Sequence, residues 1–200
     1  DEKMDSTNTQ AKRLGEENAE NGTVVIAEQQ TAGKGRRGKT WVSPLGNCYF
    51  TVLLRPDVHA DRASMITLIS ALALAQAIEK VMDLETMIKW PNDVIASGKK
   101  LCGILTESSS DLEYINYVVV GIGVNCNQTE FPEEIREIAS SICLETGRTV
   151  DRTRLLAEFF NCFEVCYETF LETEDLQGLV EDYNARLINR GKEVKIVEKE

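Results

Sequence analysis

The chain has 200 residues, of which 42% are hydrophobic and only four are proline, and its formal net charge is −11 at pH 7. That composition fits one globular domain with a full core, or one domain with a small appendage, and excludes a disordered chain. The negative charge argues against a general nucleic-acid binder and disfavours anionic membranes.

Glu2 to Asp5 reads as the end of a strand. Asp5-Ser6-Thr7-Asn8 offers helix N-caps, and Thr9 to Asn18 reads as a short polar helix with Ala11, Leu14 and Ala19 on one side. On that reading Ser6 and Thr7 need do no more than cap. Asn21-Gly22 is a turn, and Thr23 to Gln29 is a β-branched strand. Asn47 to Arg55 is a second strand, ended by Pro56. Asp61 to Met82 is a long buried helix with Ile66, Ile69, Ala73, Ala77 and Val81 on one stripe; its apolar run from Ile66 to Ile78 is expected to be too short to span a bilayer. Glu85 to Trp90 is a strand stopped by Pro91-Asn92. Asp93 to Ala96 and Lys100 to Glu107 form a hairpin around Ser97-Gly98-Lys99. Tyr114 to Asn125 is a nearly continuous apolar strand suited to the centre of a sheet. Phe131 to Gly147 is a loop with short helical pieces. Asp151 caps a helix reaching about Leu171, with Leu155, Leu156, Phe159, Phe160, Phe163 and Phe170 facing the core. Leu176 to Ile188 is a further helix, and Lys192 to Val197 a strand. Strands early and helices late imply an α+β fold: one mixed β-sheet with helices packed on one face.

The opening DEKMDSTN does not read as a signal peptide. Cys48, Cys102, Cys126, Cys143, Cys162 and Cys166 include no CxxC pair and read as small buried hydrophobes in a reducing cytoplasm. With His59 as the single histidine, a histidine triad or histidine-rich metal site is not expected.

Gly33-Lys34-Gly35-Arg36-Arg37-Gly38-Lys39 joins three glycines to four cations. Glycine permits close backbone approach and anion-binding nests, and arginine adds a planar fork for phosphate or carboxylate. The stretch reads as a mobile loop closing over a small anion; the alternative is a solvated basic turn. Gly33 to Thr40 also satisfies GxxxxGK[ST], the phosphate loop of nucleoside triphosphatases. That motif needs a helix beginning at its lysine, and Pro44 and Gly46 stand where the helix would run. Further patches fall at strand ends or turns: Lys89-Trp90-Pro91-Asn92-Asp93, Lys100 before Leu101-Cys102-Gly103, and Gly121-Ile122-Gly123-Val124-Asn125. Taken singly, each has a structural explanation.

In this order, and with Ser6-Thr7-Asn8 upstream, AEQQTAGKGRRGKTWVSPLG, KWPNDV, KLCGIL and GIGVN resemble the biotin protein ligase family. The resemblance is strongest from Met4 to Asn127. It implies the α+β catalytic fold shared by biotin and lipoate ligases over residues 1–190, with 191–200 starting an SH3-like domain. It implies an enzyme that joins biotin to the α-phosphate of ATP, releases pyrophosphate, and passes biotin to a lysine of a biotin carboxyl carrier protein domain. Ser6, Thr7, Asn8 and Gln30 would then bind the ureido end of biotin, and Gly103, Leu105 and Gly121 its apolar body. Gly33, Lys34, Gly35, Arg36 and Lys100 would meet its carboxylate. Arg36, Arg37, Trp41, Lys89, Asn92 and Asn125 would serve ATP, Asn92 and Asp93 would hold magnesium, and Arg36, Lys100 and Asp93 would carry the chemistry. The DNA-binding winged helix of many members is not expected in these residues, a membrane partner is not expected, and a homodimer through a sheet edge stays open, with no sequence feature that shows it. A lipoate-type ligase, a nucleotide hydrolase and a non-catalytic biotin or nucleotide sensor are the alternatives.

Overall fold

In the computed structural model, which describes residues 2–111 and 113–193, the elements in chain order are β1 (Lys3–Met4), α1 (Thr7–Glu16), β2 (Thr23–Ala27), β3 (Gln29–Gln30), β4 (Cys48–Leu54), α2 (Met65–Met82), β5 (Met87–Lys89), β6 (Asp93–Ala96), β7 (Lys99–Ser110), β8 (Ile115–Val124), α3 (Ile142–Thr146), α4 (Arg152–Thr173) and α5 (Val180–Arg186). Six strands form one sheet in the order β2-β4-β8-β7-β6-β5, and β1 and β3 form a separate parallel pair. Every strand pairing in the large sheet is antiparallel, and isolated parallel bridges join its Ile88 to Leu187 and its Lys100 to Ala139.

Side-chain alternation along the central strands divides the molecule. Val118, Val120, Ile122 and Val124 of β8 join Cys48, Phe50, Val52 and Leu54 of β4 in the main core. Residues of α2 and α4 complete that core, including Ile66, Ile69, Leu72, Leu155, Phe159 and Phe163. Aromatic rings key the layers together: Phe159 lies 5.1 Å from Phe50, edge to face, and stacks on Phe163 at 5.5 Å. Asp151 caps α4, its carboxylate accepting from the Arg154 amide at 3.0 Å.

The opposite face carries a smaller cluster of Ala11, Leu53, Tyr117 and Val119. Here α1 packs, so the α+β class holds while the helices occupy both faces rather than one. The helix begins at Thr7, two residues earlier than its polar pattern suggests, and its N-cap Ser6 makes no side-chain cap bond. The segment Ala60–Met82, 23 residues, is in fact long and apolar enough to cross a membrane, yet 61% of its apolar window is buried inside this fold. The expected strand over 192–197 and the expected second domain over 191–200 lie outside the described residues apart from 191–193.

The aromatic key sets a stability expectation. Phe159→Ala should cost about 3–5 kcal/mol in urea unfolding. Val165→Ala on the same helix, at a position 63% exposed, should stay within about 0.5 kcal/mol.

Candidate functional site

On the α1 side of the sheet the central strands lose their side chains. Gly121 sits between Thr51 of β4 and Leu105 of β7, and Gly123 between Tyr49 and Gly103. The result is a trench floored by backbone. A Cβ at Gly121 would stand 1.7 Å from Asn8 Oδ1, and one at Gly123 would stand 2.4 Å from Trp41 Nε1. A Cβ at Gly103 would meet Trp41 at 2.8 Å and Lys100 at 3.2 Å. The glycines therefore accommodate Asn8 and Trp41 of this chain directly. The remaining cavity is about 50 Å³, well under the roughly 300 Å³ of a small-molecule pocket, because the indole occupies its floor.

One end of the trench is neutral and polar. Ser6, Thr7 and Asn8 line it from the start of α1, with Gln30 beside them. Gln30 Oε1 accepts from the Thr7 amide at 2.8 Å and the Thr7 hydroxyl at 3.1 Å, while its Nε2 donates to Ser43 Oγ at 3.0 Å. Thr7 and Asn8 spend their side chains here and across the sheet, which removes the capping-only reading. Glu107 borders Asn8. Burial would raise its carboxyl, but hydrogen bonds from Asn8 and Lys12 outweigh that and hold it below the usual carboxylate range.

The other end is cationic. The glycine-rich stretch folds into an arch closed by a bridge between Lys34 and Thr40, with the Gly35 amide donating to the Lys39 carbonyl at 2.7 Å. Arg37 at its crest has φ 57°, and no helix follows Lys39, which continues extended at ψ 148°; the triphosphatase reading fails on that geometry. Gly33 is buried under the Trp41 carbonyl, where a Cβ would stand at 2.4 Å. Lys34, Gly35 and Arg36 line the cavity from above. Arg36 donates to Asn92 Oδ1 at 3.0 Å, and Asn92 Nδ2 donates to the Ile104 carbonyl at 3.0 Å. Lys100 Nζ lies 2.6 Å from Asp93 Oδ1 and 5.3 Å over the Trp41 ring.

Most of the expected residues thus converge, but Gly33, Arg37, Lys89, Asp93 and Asn125 do not line the cavity. Arg37 points from the exposed crest, and Lys89 is exposed on β5. Asn125 is buried with its amide donated to the Ser140 carbonyl at 2.9 Å, tying down the chain after β8. Asn92 and Asp93, expected at magnesium, each present their Oδ1 to a cation of this chain. Three of the thiols are poor candidates for a nucleophile: burial pushes Cys48 up to about 12 and raises Cys102 and Cys126.

Thr51 and Glu107 escaped the sequence reading, and Gly123 figured there only as part of the GIGVN patch. Gly123 belongs to the floor, and Thr51 and Glu107 hold Asn8 from either side. The available signal was polarity out of place: a threonine inside CYFTVLL and a glutamate at the end of KLCGILTE.

Gly123→Ala should expel the indole from the trench. Trp90, the other tryptophan, is already 63% exposed, so a red-shifted emission with unchanged far-UV dichroism would report Trp41. An unshifted spectrum would contradict the packing described.

Residues 2–125 match the family model described as Biotin/lipoate A/B protein ligase family. The chain is 39% identical over 171 residues to the Bacillus subtilis bifunctional ligase/repressor BirA, covering 84% of this chain and 53% of that relative. It is 37% identical over 176 residues to the biotin–[acetyl-CoA-carboxylase] ligase of Paracoccus denitrificans, covering 84% of this chain and 73% of the relative. Among solved structures, the biotin protein ligase of Aquifex aeolicus in complex with biotin and ATP superposes with a TM-score of 0.83 at 31% identity, over 96% of this chain and 78% of the other. The chain spans about half the length of its Bacillus relative. With the trench, the arch and the four motifs all inside the matched segment or its immediate border, this chain belongs to the biotin/lipoate A/B protein ligase family, as a biotin protein ligase catalytic domain.

Proposed function

We propose that this domain activates biotin with ATP to biotinyl-5′-AMP and transfers the biotinyl group to a lysine of a biotin carboxyl carrier protein domain. The observation that carries the reading is the polarity of the trench. One end holds neutral donors and acceptors from Thr7, Asn8 and Gln30, and the other holds Lys34, Arg36 and Lys100. A ligand with a polar uncharged head and an anionic tail matches that gradient, and biotin has both. The relatives named for this ligation, and the Aquifex enzyme in complex with biotin and ATP, support the same reading.

The residues then divide the work. In the first step the carboxylate oxygen of biotin attacks the α-phosphorus and pyrophosphate leaves. Two anions must approach each other, so the chain supplies positive charge where negative charge accumulates. Lys100 is positioned to do this at the carboxylate, with Asp93 orienting its ammonium. Arg36 closes the arch from the opposite side through Asn92. In the second step a neutral lysine amine attacks the mixed anhydride carbonyl, giving an amide and AMP. No nucleophilic side chain of this chain is required in either step. Orientation of the reacting carboxylate supplies much of the remainder. The six free cysteines suit a reducing compartment.

Incubation of the chain with biotin, ATP and magnesium should yield biotinyl-AMP and pyrophosphate by mass spectrometry. If biotin neither binds nor raises the thermal midpoint, the reading is wrong. Arg36→Gly removes the guanidinium that latches the arch and should speed release of the adenylate by about tenfold or more. A mutant that retains the intermediate as long as the parent would show that the arch is no clamp.

A further inference from the structure

The amide of Asn8 is held from two sides, and its partners dictate which end faces which strand. Thr51 Oγ1 donates to Asn8 Oδ1 at 2.7 Å. From the other end, Asn8 Nδ2 donates to the Leu105 carbonyl at 3.2 Å and to Glu107 Oε2 at 3.1 Å. A carbonyl and an ionised carboxylate only accept, so the nitrogen must face β7 and the oxygen must face Thr51. Both N–H groups of the amide are thereby consumed. Oδ1 keeps one lone pair, and among the described residues no second donor reaches it. Because Asn8 lines the trench, it meets a ligand purely as an acceptor.

Gln30 is locked in the opposite sense. The Thr7 backbone amide can only donate, so Gln30 Oε1 must face it, and that oxygen takes the Thr7 hydroxyl as well. One N–H goes to Ser43 Oγ. Among the described residues no acceptor takes the other, which leaves it for a ligand. An acceptor and a donor with fixed roles therefore stand at the same end of the trench.

We propose that Glu107 is a positioning residue which, through Asn8, makes this end of the trench selective for a ring that presents an N–H beside a carbonyl, and unreceptive to a ring lacking the N–H, such as a dithiolane. The inference rests on the biotin reading above and adds how the ureido group is chosen. Glu107 does not line the cavity. It fixes the amide of Asn8 with one oxygen, while its other oxygen pairs with Lys12 Nζ at 3.0 Å. Leu105 alone would leave one amide N–H without an acceptor. The same carboxylate also ties α1 to β7, and that purely structural role is what the test must separate.

Calorimetric titration of the chain with biotin, with ATP, and with two carbamate analogues of biotin provides that separation. In each analogue one ureido N–H is replaced by oxygen. For the parent, one of the two analogues should bind about 100-fold more weakly than biotin, because two acceptor oxygens then face each other. Glu107→Gln is isosteric, and its site is 30% exposed in the side chain, so the fold tolerates it. Its amide can offer either a donor or an acceptor to Asn8. Biotin should weaken about tenfold, discrimination against the disfavoured analogue should shrink about tenfold, and ATP affinity should stay at the parent value. Lys12→Met keeps the Asn8–Glu107 bond and should preserve the discrimination. Glu107→Gln with parental discrimination overturns the inference. So do equal losses of biotin and analogue binding in Glu107→Gln and Lys12→Met, which would mean helix docking only. A parent chain that binds no biotin overturns the proposed function and this inference with it, whereas a parent that binds biotin with an indifferent Glu107 overturns the inference alone.

Discussion

Three missing Cβ atoms hold the site open. Gly123 of β8 pairs with Gly103 of β7, and Gly121 of β8 pairs with Leu105; each of the three glycines would collide with a side chain of this chain if it carried even a methyl group. Their location follows from the core on the other face. Val118, Val120, Ile122 and Val124 seal β8 against α2 and α4, so alternation sends residues 119, 121 and 123 to the α1 side. A one-residue slip would bury the glycines and expose the valines. The packing of the main core therefore sets the register of the trench.

The trench is charged at one end inside a chain that is strongly acidic overall. The cations there are not solvated at random. Arg36 is aimed by Asn92, and Lys100 by Asp93. Both partners come from the turn and strand that follow Trp90, so KWPNDV and the glycine-rich arch, separated by more than fifty residues in sequence, form one electrostatic unit. Preorganisation of this kind matters most for a reaction that concentrates negative charge, because the dipoles and charges need not reorient as it proceeds. The half-buried Lys100–Asp93 pair also avoids leaving an ammonium uncompensated near a low-polarity indole.

Long periodic segments were legible before any coordinates. The stripe on α4, the apolar run of β8, the hairpin at Ser97-Gly98 and the Asp151 cap all lie where local pattern puts them. Short polar segments were less legible. Ser6-Thr7-Asn8 reads as a cap, yet Thr7 and Asn8 send their side chains to Gln30, Thr51, Leu105 and Glu107, from 23 to 99 residues away. Such bonds leave no local trace. Asn125 illustrates the converse: a motif places it at the end of the strand that floors the site, but its amide is spent on Ser140. Sequence pattern indicates which residues share a face; it does not indicate whose hydrogen bonds are already committed.

That distinction also revises what the glycines mean. A glycine at a strand end suggests backbone left bare for a ligand. Here the bare backbone is covered from within, by Asn8 over Gly121 and by the Trp41 indole over Gly103 and Gly123. An empty trench would expose sheet backbone and forfeit the dispersion contacts that a filled one retains. Asn8 is bonded at both ends and cannot leave without breaking three hydrogen bonds. Trp41 is held differently: its Nε1 is buried without a hydrogen-bond partner, so its seat rests on packing and on the Lys100 ammonium above the ring. The fixed filler sets which polar atoms a ligand meets, and the loosely held one sets how much room it finds. Any ligand lying on Gly103 and Gly123 takes the place of the indole, and in doing so it engages Lys100, the cation that covers it.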